Sequence, residues 1–218
     1  MARFIESVLG RSQDLELIIP MTATPSSSTT SSLPDWIQPL EISELVLFTP
    51  RQFHDDRGYF METARASWFT DHGIHLPAPF VQDNLSKSSK GVIRGLHYQI
   101  GASAQGKFVG VAKGTITDVA VDIRKESPTF GQVVKATLSA ENGKMLWIPP
   151  GFAHGFSVHS DEALVQYKCT AYYDAPSERG IHPLDENLAI DWGVENPVIS
   201  AKDLELPRFT ELPPEALF

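Results

Sequence analysis

The stretch Phe108-Val109-Gly110-Val111-Ala112-Lys113-Gly114-Thr115-Ile116-Thr117-Asp118-Val119-Ala120-Val121-Asp122-Ile123 decides the fold. Its two apolar runs, 108–112 and 116–123, flank the turn pair Lys113-Gly114, so the segment reads as strand, turn, strand. Downstream, residues 133–138 alternate Val133, Lys135 and Thr137 against Val134, Ala136 and Leu138, the pattern of a half-buried strand. Residues 144–148, 155–158 and 163–170 continue the series. Upstream, Leu45-Val46-Leu47-Phe48 ends at Thr49-Pro50, residues 58–62 follow the charged turn His54-Asp55-Asp56-Arg57, and 92–98 form a further candidate. Gly, Pro, Asn and Asp punctuate these runs at short intervals. Helix is limited to residues 64–71 and a turn or two near the C-terminus. Many short strands at even spacing predict an all-β chain, an antiparallel sandwich or barrel.

Composition narrows the function. Hydrophobic residues make up 42% of the 218 residues, enough for a substantial core. The formal net charge is −9 and no basic run occurs, which argues against nucleic-acid binding. A local Arg/Lys cluster can still hold an anionic ligand. Cys169 is the only cysteine, so no intrachain disulfide forms, as suits a reducing compartment. No stretch has the length of a transmembrane helix, and Glu6, Arg11, Asp14 and Glu16 interrupt the apolar N-terminus where a signal peptide would be continuous. The expected location is the cytoplasm.

Residues 1–20 have the pattern of a short amphipathic helix. The segment MTATPSSSTTSSLP, 21–34, is Ser/Thr-rich and too polar to fold alone. The expected organisation is an N-terminal extension over 1–35, in part disordered, and one domain over 36–218.

Four side chains carry chemistry. His97 lies in Arg94-Gly95-Leu96-His97-Tyr98-Gln99. On a regular strand Ile93, Gly95, His97 and Gln99 share one face and Arg94, Leu96 and Tyr98 the other. A histidine between glycine and glutamine suits a cavity wall, where it can act as general base, although most histidines are merely packed. Lys107 is either a solvated loop lysine or a fixed cation for an enolate oxygen. Tyr167, inside a strand, is either a core aromatic or a proton donor. Asp203 can orient the base. Together the four suggest proton abstraction beside a carbonyl, with no metal and no organic cofactor. Tyr172 and Tyr173 offer stacking surfaces for a flat base. A metal reading finds Pro149-x-Gly151-x-x-His154, like the second metal motif of cupin barrels, but position 99 is Gln where the first motif needs His. One histidine from each half falls short of three protein ligands.

In order along the chain, several further motifs accompany these residues. They are Asp55-Asp56-Arg57-Gly58-Tyr59-Phe60, Phe80-Val81-Gln82-Asp83-Asn84-Leu85-Ser86-Lys87-Ser88, Gln105-Gly106-Lys107, Asp122-Ile123-Arg124-Lys125-Glu126-Ser127-Pro128-Thr129-Phe130-Gly131, Trp147 to Phe156, Tyr167-Lys168 and Ser200-Ala201-Lys202-Asp203. From about Leu45 to Asp203 the chain resembles the dTDP-4-dehydrorhamnose 3,5-epimerases. The resemblance implies a cupin-type jelly roll, with His97 as base, Asp203 orienting it, Lys107 stabilising the enolate and Tyr167 as acid on the opposite sugar face. It implies substrate contacts at Arg57, Phe60, Glu62, Gln82, Asn84, Arg94 and His154, with Phe53 and Tyr173 as further candidates. It also implies a homodimer whose N-terminal strands cross to the partner, so that 57–62 complete the other subunit's site. The substrate would be a dTDP-4-keto sugar inverted at C3 and C5. A mono-epimerase and a non-catalytic sugar-nucleotide-binding cupin are the alternatives, with a metal-dependent cupin oxygenase disfavoured by Gln99. The first 35 residues have no counterpart in the resemblance.

Overall fold

A computed structural model describes residues 33–218. The expectations for a helix over 1–20 and a disordered linker over 21–34 fall almost wholly outside that range.

Two antiparallel sheets face each other. One holds six strands: β1 (Ile37–Pro39), β2 (Val46–Phe48), β5 (Gln82–Ser89), β7 (Lys107–Lys113), β10 (Met145–Ile148) and β12 (Glu162–Cys169), ordered β1-β2-β10-β7-β12-β5. The other holds five: β6 (Ile93–Gln99), β8 (Thr115–Asp122), β9 (Val133–Ser139), β11 (Phe152–Val158) and β13 (Glu178–Gly180), ordered β13-β6-β11-β8-β9. A separate hairpin joins β3 (Phe53–Asp55) to β4 (Gly58–Phe60). The helices α1 (Ser67–Thr70) and α2 (Ala201–Leu204) are single turns. This is the all-β jelly-roll sandwich expected.

The core follows from strand alternation. The faces turned inward by both sheets, including Val109, Val111, Ile116, Ala120, Leu138, Phe156 and Val165, form one buried cluster. Val134, Ala136 and Leu138 are buried, as the alternation of β9 requires. The outer face of the five-stranded sheet is covered by the C-terminal segment through Ile181, Leu188 and Trp192. The outer face of the six-stranded sheet is covered by Leu33, Trp36, Trp68 and Phe69.

Two readings need correction. The helix over 64–71 shrinks to Ser67–Thr70, because only Trp68 and Phe69 give it a buried face. The faces of β6 also differ from a regular strand. Its pairing with β11 runs His154↔His97 and then Phe156↔Arg94, so β6 carries one extra residue at a bulge. The bulge turns Arg94 onto the face of His97, while Ile93 joins Leu96 and Tyr98 in the outer apolar cluster. Glycine makes it possible: Gly95 has φ +110, and a Cβ there would lie 2.6 Å from the His154 carbonyl oxygen. Gly155 opposite is equally constrained, 2.6 Å from the Arg94 oxygen.

Candidate active site

The two sheets part at one end of the sandwich, and a cavity of ≈ 480 Å³ opens between them. His97, Lys107, Tyr167 and Asp203 all line it. A second cavity of ≈ 360 Å³ shares His97, Lys107 and Tyr167 with the first and extends past Gln82, Asn84 and Tyr173. Three of the four expected reactive side chains therefore stand where two chambers join, with Asp203 behind His97 in the first.

Each is positioned by a different element. His97 points in from β6. Its Nε2 lies 2.7 Å from Oδ1 of Asp203 on α2. The carboxylate accepts the Nε2 proton, which leaves Nδ1 with the lone pair a base needs. Asp203 is buried, and Ser200 caps α2 by accepting from the Asp203 backbone N–H at 3.1 Å. The Gly95 N–H also approaches Asp203 Oδ2, at 3.5 Å. Burial would raise the Asp203 carboxyl, but the bonds from His97, Gly95 and Ser200 hold it below the usual carboxylate range.

Lys107 begins β7 and donates from Nζ to the His97 carbonyl at 3.2 Å. Burial pushes its ammonium below the ordinary lysine value, partly offset by Cys169, Asp118 and Glu178. Tyr167 stands on β12, in the sheet opposite His97. Burial pushes its phenol up, so it is an O–H donor at neutral pH. The His97 imidazole on one wall thus faces the Tyr167 phenol on the other, with the Lys107 amine in the same chamber.

Of the expected substrate contacts, Arg94 and His154 line the first cavity, and Gln82, Asn84 and Tyr173 the second. Arg94 Nε donates to Ser88 Oγ at 2.8 Å, which fixes the guanidinium. Gln82 donates to Asn84 Oδ1 at 3.0 Å and accepts from the Tyr173 N–H at 2.9 Å. Phe53, Arg57, Phe60 and Glu62 are not brought to either cavity. They lie on or beside the β3–β4 hairpin, where Arg57 pairs with Asp55 and Glu62 with Arg65 in solvent.

Three site residues escaped sequence reasoning. Asp118 is fully buried on the inward face of β8, its carboxylate 2.9 and 3.0 Å from His154 Nε2. The signal was a carboxylate at the inward period of an apolar strand, between Ile116 and Ala120, where a charge requires a partner. Glu178 accepts from Tyr173 Oη at 2.9 Å and from Lys202 Nζ at 2.7 Å at the cavity mouth. Nothing local in the sequence marks that trio. Arg94, Lys107 and Lys202 bring basic side chains to the first cavity of a chain of net charge −9, with Lys202 paired to Glu178 and the Asp203 carboxylate lining the same space.

Gln99, where a metal motif would need a histidine, is spent on the loops: its Nε2 donates to the Ser103 and Tyr172 carbonyls and its Oε1 accepts from the Asp174 N–H. Among the described residues, no three His, Cys, Asp or Glu side chains are grouped to hold a metal ion.

Comparison with known proteins gives consistent matches. A family model described as dTDP-4-dehydrorhamnose 3,5-epimerase matches residues 39–211. A dTDP-4-dehydrorhamnose 3,5-epimerase of Escherichia coli (strain K12) is 50% identical over 173 residues, covering 79% of this chain and 93% of that protein. A dTDP-4-dehydrorhamnose 3-epimerase of Streptomyces niveus is 37% identical over 167 residues, covering 77% and 80%. A crystal structure of a dTDP-6-deoxy-D-glucose-3,5-epimerase from Legionella pneumophila, in complex with dTDP-4-keto-L-rhamnose, is 48% identical with a TM-score of 0.79, covering 83% of this chain and 96% of that one.

Proposed function

The chain belongs to the dTDP-4-dehydrorhamnose 3,5-epimerase family, and on that premise we propose that it converts dTDP-4-dehydro-6-deoxy-D-glucose to dTDP-4-dehydro-L-rhamnose by inverting C3 and C5. The observation that carries this reading is the His97–Asp203 dyad facing Tyr167 across a cavity that also holds the Lys107 ammonium.

The chemistry follows from the substrate. The C3 and C5 protons are both alpha to the C4 ketone. His97 Nδ1 removes one of them, and the electron pair moves to the ketone oxygen as an enolate. Lys107 stabilises that oxygen, an interaction stronger in the charged intermediate than in the ketone. Tyr167 then delivers its phenolic proton to the opposite face, which inverts the centre. Solvent returns a proton to Tyr167 and takes one from His97. The same ring serves the second carbon after the sugar shifts in the site. Each step described moves a proton and leaves every oxidation state unchanged, and the enolate charge is met by Lys107.

Substrate contacts divide between the chambers. Arg94 suits a phosphate oxygen, because a guanidinium held by Ser88 still presents free N–H groups. Gln82, Asn84 and Tyr173 suit the nucleoside, with the Tyr173 ring as a stacking face. His154, held by Asp118, contacts the sugar. Phe53, Arg57, Phe60 and Glu62 act in trans, in a homodimer whose N-terminal strands cross to the partner. Support for this comes from the hairpin, where Phe53, Tyr59 and Phe60 are at least half exposed. Residues 1–35 form an extension without a catalytic role and 36–218 the epimerase domain, acting in the cytoplasm.

Proton NMR of the purified protein with dTDP-4-dehydro-6-deoxy-D-glucose tests the reading. Product with inverted C3 and C5 is expected. Inversion of one centre alone would make the protein a mono-epimerase, and an unchanged sugar would make it a binding protein.

A further inference from the structure

One buried group in the catalytic cavity has no task in the mechanism. Ser86 lies on β5, whose inward-facing residues Gln82, Asn84, Ser86 and Ser88 are all polar. The other three have bonds: Gln82 to Asn84 and Tyr173, Ser88 to Arg94. The Ser86 hydroxyl oxygen is buried and, among the described residues, has no hydrogen-bond partner. Ser86 pairs with Val165 across β12, and Asn84 with Tyr167, so Ser86 is the diagonal neighbour of Tyr167 on the same face. It lines the chamber that holds Arg94, His97 and Lys107.

A hydroxyl that loses water and gains nothing opposes folding, whereas alanine or valine would fit an apolar strand face without that cost. The hydroxyl is unpaired at the spot where a ligand rich in oxygen acceptors would sit. We propose that Ser86 is a substrate contact, donating a hydrogen bond from the Tyr167 wall to an oxygen of the bound nucleotide sugar. The proposal rests on the epimerase reading and adds a residue to it. The acceptor is either a sugar oxygen or a phosphate oxygen beside Arg94.

The test is Ser86→Ala, with the wild-type enzyme in parallel. Three quantities are measured: the thermal midpoint without ligand, the dTDP dissociation constant by calorimetry, and kcat/KM by NMR. The midpoint should equal or exceed that of the wild type, because the lost hydroxyl had no partner. With a neutral sugar oxygen as acceptor, kcat/KM falls about 3- to 10-fold and dTDP affinity is unchanged. With a phosphate oxygen, dTDP affinity and kcat/KM both fall, by about 10- to 100-fold. Affinity and kinetics equal to the wild type would overturn the proposal. A lowered midpoint would also overturn it, since the hydroxyl would then hold a bond within the protein. A wild-type enzyme that leaves the sugar unchanged would refute the epimerase reading itself, a separate result.

Discussion

Replacing Asp203 by asparagine removes one charge from the buried dyad and keeps its shape. The Ser200 cap survives, because it binds the backbone of residue 203, and the amide oxygen can still accept from His97. The change is felt when the ring takes up a proton. In the wild type the new imidazolium sits 2.7 Å from a carboxylate that is 4% exposed, so water screens the pair poorly. A hydrogen bond between charged partners exceeds its neutral counterpart, and losing the charge should cost the transition state about 2–3 kcal/mol, or about 30- to 150-fold in rate. The Asp203 carboxyl is held below the usual carboxylate range and is ionised at neutral pH, where the loss should be measured. Deuterium wash-in at C3 and C5, followed by proton NMR, isolates proton removal from later steps. On the proposed mechanism one ring serves both carbons, so both rates should fall by the same factor while dTDP affinity is unchanged. Wild-type exchange, or a loss confined to one carbon, would refute the dyad.

The other predictions address the acid, the scaffold and the domain boundary. Tyr167→Phe should still allow proton removal but slow inversion, so that deuterium wash-in outpaces epimerisation; an equal loss of both would mean that Tyr167 only packs or binds. Asp122 is fully buried, and bonds from Arg124, Ser127 and Thr129 overcome the upward push of burial to hold its carboxyl at about 2. Against an ordinary value of 3.8, that depression contributes about 2 kcal/mol of stability, present above about pH 4 and lost as pH falls toward 2. Urea unfolding of Asp122→Asn should therefore show lower stability at pH 7 and a flatter acid limb; curves parallel to the wild type would contradict the linkage. A chain beginning at Ser32 should fold, dimerise and turn over like the full chain, by light scattering and NMR assay, and a monomeric or inactive product would move the boundary.

Legibility in the sequence tracks burial. The strand–turn–strand over 108–123, which passes from one sheet to the other, was readable because both faces of its strands are buried, and the alternation of 133–138 because one face of β9 is apolar. β5 was not, because Gln82-Asp83-Asn84-Leu85-Ser86-Lys87-Ser88-Ser89 lines a polar cavity with one face and solvent with the other, which erases the period-2 signal. The faces of β6 were misread because a bulge at Gly95 shifts the period by one residue, and that bulge brings Arg94 beside His97. The reactive quartet was legible as residue types and through the family motifs, but its assembly depends on Asp203 returning from 106 positions along the chain. Asp118 left a faint trace as a charge at an inward position. The hairpin residues Phe53, Arg57, Phe60 and Glu62 were assigned by resemblance alone, and one chain leaves them facing solvent.

On the proposed mechanism a single imidazole, His97, removes both protons. The most direct measurement of this is deuterium incorporation into dTDP-4-dehydro-6-deoxy-D-glucose by wild-type and His97→Ala enzymes in deuterated water. The wild type should exchange both C3 and C5, and His97→Ala should lose about 10²–10⁴-fold at each. Near-normal exchange at either carbon in His97→Ala would reveal a second base and refute the single-base mechanism.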